Sequence, residues 1–151
     1  MDTINKVEEK KYLVFRIGDE EFGADIQKVT TIIEKNMPIT RVPKTPDYIV
    51  GVINLRGDII PIMDLRKKFN LPEIKDSEDT RIIIIRIEDI LIGLIVDSVA
   101  EVVNLSEESV ESINNFSSNL SMDYIFGVGK VDGRRIITIF NLENLIKLEE
   151  I

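Results

Sequence analysis

The chain has no cysteine, no histidine and no tryptophan, and only 6% of its 151 residues are aromatic. Without cysteine there is no disulfide framework, thiolate nucleophile or thiolate metal site. Without histidine the commonest metal ligand and the usual general base near neutral pH are gone as well. Basic residues are outnumbered, 19 against 27 acidic, for a net charge of −8. A surface that negative repels phosphate, so nucleic-acid binding needs a strongly segregated basic face, and no run of the sequence supplies one. The most apolar stretch, residues 82–96, is too short for a membrane span and carries Arg86, Glu88 and Asp89 in its middle. The start, MDTINKVEEKK, has no apolar core and reads as a flexible tail over residues 1–11 rather than a signal peptide. The expected compartment is the cytoplasm, with no direct membrane insertion.

What is present is a globular composition, 44% hydrophobic and 30% charged. YLVFRI and FGADIQKVTTII are rich in β-branched and aromatic residues, and the GDEE between them fits a hairpin turn. The later part of the second run, with Ile26, Val29 and Ile33 three and four apart, is also compatible with a helical turn. MPITRVPKTPDY, with three prolines, predicts an extended connection. GVINLRGDIIPIMDL then predicts two strands about a short turn, and RKKFNL a short helix stopped by Pro72. The polar segment at 104–123 predicts a long loop or a short helix.

The plan repeats. With Gly23 set on Gly93, an offset of 70, Ile17 falls on Ile87, Phe22 on Ile92, Val29 on Val99 and Ile33 on Val103. With Gly51 set on Gly127, an offset of 76, Leu55 falls on Val131 and Gly57 on Gly133. One extra residue in the later turn then brings Ile62 onto Ile139, Asp64 onto Asn141 and Leu65 onto Leu142. Two matches in the same order argue for a tandem duplication. The expected fold is mainly β with a few short helices, small barrels or a sandwich, over residues 12–77 and 78–151, with strand exchange between the halves left open. Barrels of about seventy residues are each marginal alone, so a large shared interface is expected.

For catalysis the residues offer little. Asp58 and Asp64 lie six apart along a predicted strand and face one side, as a carboxylate pair requires. Asp58 is also an ordinary turn former, and Asp64 sits at a helix N-cap position. No phosphate-binding glycine loop or calcium-loop pattern occurs. Catalytic residues, metal and cofactor are therefore all expected to be none. Two other classes stay open: a small-barrel binder of oligonucleotide or oligosaccharide, weakened by the charge and the few aromatics, and a carboxylate-based hydrolase.

One feature is unusual for a turn. Arg56, a long cation, stands between Leu55 and Gly57, where small polar residues are usual. YLVFRIGDEEFGADIQKV, RVPKTPDYIVGVINLRGDIIPIMDLRKKF and GLIVDSVAEVV together resemble the CheW family of chemotaxis coupling proteins, from about Tyr12 to Leu145. The resemblance implies a pair of small five-stranded β-barrels and a non-enzymatic adaptor that joins chemoreceptor cytoplasmic domains to the regulatory domain of the histidine kinase CheA, within membrane receptor arrays. By the same resemblance Arg56 faces the receptor, with Asn54, Val29, Thr31 and Ile82 on that side. Leu13, Ile26 and Val29 fall on the kinase side. Asn54 has turn bracing as an alternative, Ile82 has core packing, and Val29 stands on both surfaces.

Overall fold

The computed structural model describes residues 9–111 and 122–147. Its elements in chain order are β1 (Glu9–Ile17), β2 (Glu20–Asp25), β3 (Val29–Glu34), β4 (Ile49–Leu55), β5 (Asp58–Asp64), α1 (Leu65–Lys68), β6 (Arg81–Ile87), β7 (Ile90–Val96), β8 (Ser98–Ser106), β9 (Val110–Glu111), β10 (Ile125–Val131), β11 (Arg135–Phe140) and α2 (Leu142–Leu145). Strands predominate, as the sequence predicts. β1 begins at Glu9, inside the stretch read as a tail. The alternation across 26–33 resolves into a 3₁₀ turn at Ile26–Lys28 followed by strand. Of the segment read as loop or short helix, residues 104–106 complete β8 and a 3₁₀ turn at Glu107–Ser109 leads into β9; residues 112–121 lie outside the described part.

The strands form two sheets, β8-β1-β2-β11-β10-β9 and β3-β6-β7-β5-β4. Neither sheet follows a division of the chain at residue 78. The β1–β2 hairpin of the first repeat joins the last strands of the second, and the β6–β7 hairpin of the second joins β3, β4 and β5 of the first. The crossing is reciprocal at matched residues. Ile62 pairs in parallel with Gly93, and its repeat mate Ile139 pairs in parallel with Gly23. Likewise Ile33 pairs with Ile82, and Val103 with Tyr12. Arg135 ties one crossing, donating from Nε to Glu21 at 2.6 Å and from Nη2 at 3.0 Å.

Each sheet curls around its own apolar cluster, Ile53, Ile60, Ile62, Ile82 and Ile84 in the five-stranded unit and Tyr12, Val14, Val103, Leu105, Ile137 and Ile139 in the other. Among the described residues the hydrogen-bond ladders stay open. Gly51 and Gly127 explain their shared place in the repeat. A Cβ on Gly51 would lie 2.3 Å from the Thr40 carbonyl oxygen, and one on Gly127 would lie 2.7 Å from that of Glu111. These are the points where residue 40 bridges to β4 and β9 pairs with β10.

The largest cluster lies between the units and includes Leu13, Phe15, Phe22, Met63, Leu65, Ile83, Ile85, Leu94, Phe140 and Leu145. β1 and β6 are therefore buried on both faces, alternate residues serving a unit interior and the shared interface. That is why both read as unbroken apolar runs. Neither repeat could bury this much surface alone, which agrees with the interface expected from domain size.

Candidate functional site

Arg56 and Gly57 form a two-residue loop between β4 and β5, with φ of 54° and 93°. Two successive positive φ values make a type I′ turn, whose twist suits a hairpin and which favours Asn-Gly over Arg-Gly. Holding a long side chain in that left-handed region costs about 1 kcal/mol. Asn54 braces the tip: its Oδ1 accepts the Gly57 N–H at 3.0 Å. Arg56 is exposed and has no ion pair among the described residues. Asp64, one of the two internal partners available to it, is committed elsewhere, accepting the Arg66 and Lys67 N–H groups at 2.9 and 3.3 Å as the N-cap of α1. Asp58 is exposed beside the turn.

The base of this hairpin is firmly held. β5 pairs with β7 only from Ile62 onward, so its first half, which includes Pro61, projects beyond that neighbour. The strand then runs into α1, where Arg66 grips Asp97 with Nε at 3.0 Å and Nη2 at 2.7 Å and donates Nη1 to the Pro72 carbonyl at 2.7 Å. The second oxygen of Asp97 also accepts the Gly18 N–H at 2.7 Å, which reaches the β1–β2 turn of the other unit. Burial pushes the Asp97 carboxyl up, but the guanidinium and the Gly18 N–H together outweigh it and leave it below the ordinary range. Lys68 lies between two repeat-matched tyrosines, 4.0 Å from the Tyr48 ring centroid and 4.8 Å from that of Tyr124.

The remaining sequence-predicted residues are placed unevenly. Leu13 is 3% exposed in the inter-unit core and Ile82 is 0% exposed inside the five-stranded unit. Neither presents a surface, because both strands are covered on two faces; for Ile82 the core alternative holds. Ile26 and Val29 are half-buried against the inter-unit core, and Thr31 is half-buried on β3. β3 turns Thr30, Ile32 and Glu34 outward instead, one residue out of register with Val29 and Thr31. β3 and β4 stand at opposite ends of their sheet order, so Val29 and Thr31 are not strand neighbours of Arg56.

Sequence reasoning missed four exposed apolar residues that come in repeat-matched pairs, Ile32 with Val102 and Ile59 with Ile136. The signal was available in the period of two: Ile60 and Ile62 face inward, so Ile59 faces out, directly across from Asn54.

A family model, the CheW-like domain, matches residues 11–150. The chain belongs to this family. Within it, the chain is 37% identical over 141 residues to the chemotaxis protein CheW of Klebsiella aerogenes, covering 93% of this chain and 84% of that one. It is 45% identical over 103 residues to the chemotaxis protein CheW of Bacillus subtilis, covering 68% and 65%. The crystal structure of the scaffolding protein TtCheW from Thermoanaerobacter tengcongensis superposes with a TM-score of 0.85 at 38% identity, over 93% of this chain and 94% of that one. The CheW-like chain thus carries an adaptor fold and an adaptor's role in chemotaxis.

Proposed function

We propose that the chain is a non-catalytic adaptor that couples the cytoplasmic tips of chemoreceptors to the histidine kinase CheA, at the cytoplasmic side of membrane receptor arrays. The observation that carries this reading is Arg56, an exposed cation on a braced and strained turn, without an ion pair among the described residues. A guanidinium so held offers paired hydrogen bonds to a carboxylate or to backbone carbonyls of a receptor helix. Asn54 serves that contact by fixing the tip, and Ile59 adds an apolar edge to it. Val29 and Thr31 contribute partial edges and Ile82 supports them from beneath.

On the kinase side the contact is barrel to barrel and needs exposed apolar strand surface. Ile26 and Val29 offer half-exposed rims and Leu13 backs them from the core, while Ile32 contributes a more open face. Asp64, the carboxylate the sequence offers as a partner for Asp58, is committed to capping α1, which supports a binding role over acid–base chemistry. No helix among the described residues is long and apolar enough to cross a membrane.

The test is co-sedimentation of the chain with a receptor cytoplasmic fragment and with the CheA regulatory domain, separately and together. Two binary complexes and one ternary complex are expected. Arg56→Glu should reduce receptor capture and leave CheA capture intact. Mutual displacement of the two partners, or equal loss of both, would count against a bridge.

A further inference from the structure

Residues 35–57 hold a single acidic residue, Asp47, against four basic ones, in a chain whose acids otherwise outnumber its bases. The fold concentrates this bias. Arg41 and Lys44, from the proline-rich connection, and Lys67, from α1, line an open cleft of about 450 Å³ whose walls include Val42 and Val50, with Asp47 its one carboxylate against these three cations. No reading of the linear sequence gathers these cations, because Lys67 arrives from a later element.

The connection is built to hold its shape. Pro43 and Pro46 restrict it, the Thr45 hydroxyl donates to the Val42 carbonyl at 3.0 Å, and the Ile49 N–H donates to the Pro46 carbonyl at 3.0 Å. Lys44 sits at φ 65°, so this is a second turn where a long cation occupies a position that suits glycine or asparagine. Among the described residues neither Arg41 nor Lys44 has an ion pair, and Lys67 has only a 3.6 Å contact with the exposed Glu73. Val42 is 38% exposed beside them.

We propose that this cleft is a docking site for a short acidic protein segment carrying at least one apolar side chain. The apolar side chain would seat against Val42 and Val50, with carboxylates on Arg41, Lys44 and Lys67. A local segment fits the charge pattern better than a membrane or a nucleic acid, because an extended polyanion meets the field of the whole chain, which carries −8. The site lies toward the start of β4, at the far end of that strand from Arg56, and does not depend on the receptor contact proposed above.

The experiment uses the full chain, isotope-labelled for amide NMR, titrated with a dye-labelled synthetic peptide of glutamate and leucine. Its glutamine analogue, phosphatidylserine–phosphatidylcholine vesicles and an oligothymidylate are the comparison ligands. Shifts should centre on residues 41–50 and Lys67, and the glutamine analogue should bind at least about tenfold more weakly. Lys44→Glu should weaken peptide binding by about tenfold or more, whereas Arg86→Glu, an equal charge change at an exposed site on β6, should change it by less than about twofold. Shifts elsewhere, equal effects of the two variants, or tighter binding of the vesicles or the oligothymidylate at these residues would overturn the proposal.

Discussion

The tips at Arg56 and Asp132 open on the same left-handed step and differ in length and chemistry: Leu55 pairs with Asp58 across two residues, and Val131 with Arg135 across three, the third being Arg134. Arg56 and Gly57 have φ of 54° and 93°, and Asp132 and Gly133 have 55° and 76°. Both hairpins follow a close-packed glycine and lead to a helix capped by an Asx side chain, Asp64 or Asn141. Both also expose an isoleucine, Ile59 or Ile136. Aspartate tolerates the left-handed region, whereas arginine is strained there. The glycine, the exposed isoleucine and the helix cap are thus common to the two repeats, and an arginine in the left-handed position is an addition that they do not require. Arg56 costs stability and has no ion pair among the described residues, which points to a role outside the fold.

If the frame is common, breaking it should be costly in either repeat. Gly51→Ala and Gly127→Ala each force a Cβ against a backbone carbonyl and should each destabilise by about 3 kcal/mol, read as a fall in the urea midpoint, with the larger loss at Gly51, whose φ of 150° adds backbone strain. A large loss at one glycine and none at the other would break the equivalence.

A smaller effect should expose where the repeats diverge. Arg66 and Asp97 form a bidentate, mostly buried pair, while the matched region of the other repeat has Lys28 and Glu143 at 3.3 Å, with the glutamate 55% exposed. Asp97→Asn should cost about 2 kcal/mol and Glu143→Gln under about 0.5 kcal/mol in chemical denaturation. The Asp97 carboxyl is held below its ordinary value of 3.8, so ionisation favours the folded state. Its contribution is complete above that value and is lost as pH falls through the lower folded-state value. The unsubstituted protein should therefore lose stability below about pH 4 more steeply than Asp97→Asn does.

The smallest change has the opposite sign. Arg56→Asn should stabilise the chain by about 0.5–1 kcal/mol, a rise of about 1–4 °C in the thermal midpoint, because asparagine suits a type I′ turn. Asp132→Asn should move it by less than about 0.3 kcal/mol.

The parts of this frame legible in the sequence were those set by local chemistry. Gly57 marked the turn, Asp64 the helix cap, and the glycine offsets the duplication. Pairing across the repeats was not legible, because a strand's period of two reports its faces and not its neighbour. Hence the β1–β2 and β6–β7 hairpins had no sign of their exchange. Leu13 and Ile82 became surface candidates through the family resemblance, and the sequence pattern could not assign them a face: a strand covered on both faces has no polar alternation to reveal which side is which. On β3 the alternation was present, but a one-residue choice of face separated Val29 and Thr31 from the outward Ile32. Arg56 was legible because it broke a local rule of turn composition, and the structure strengthens the anomaly by showing it left-handed and braced.

The most direct test is calorimetric binding of a chemoreceptor cytoplasmic fragment to Arg56→Asn and to Asp132→Asn, with a thermal melt of each protein. The account predicts that Arg56→Asn binds at least about tenfold more weakly while melting no lower than the unsubstituted chain, and that Asp132→Asn binds within about twofold. Unchanged affinity in Arg56→Asn, or equal losses in both variants, would contradict it.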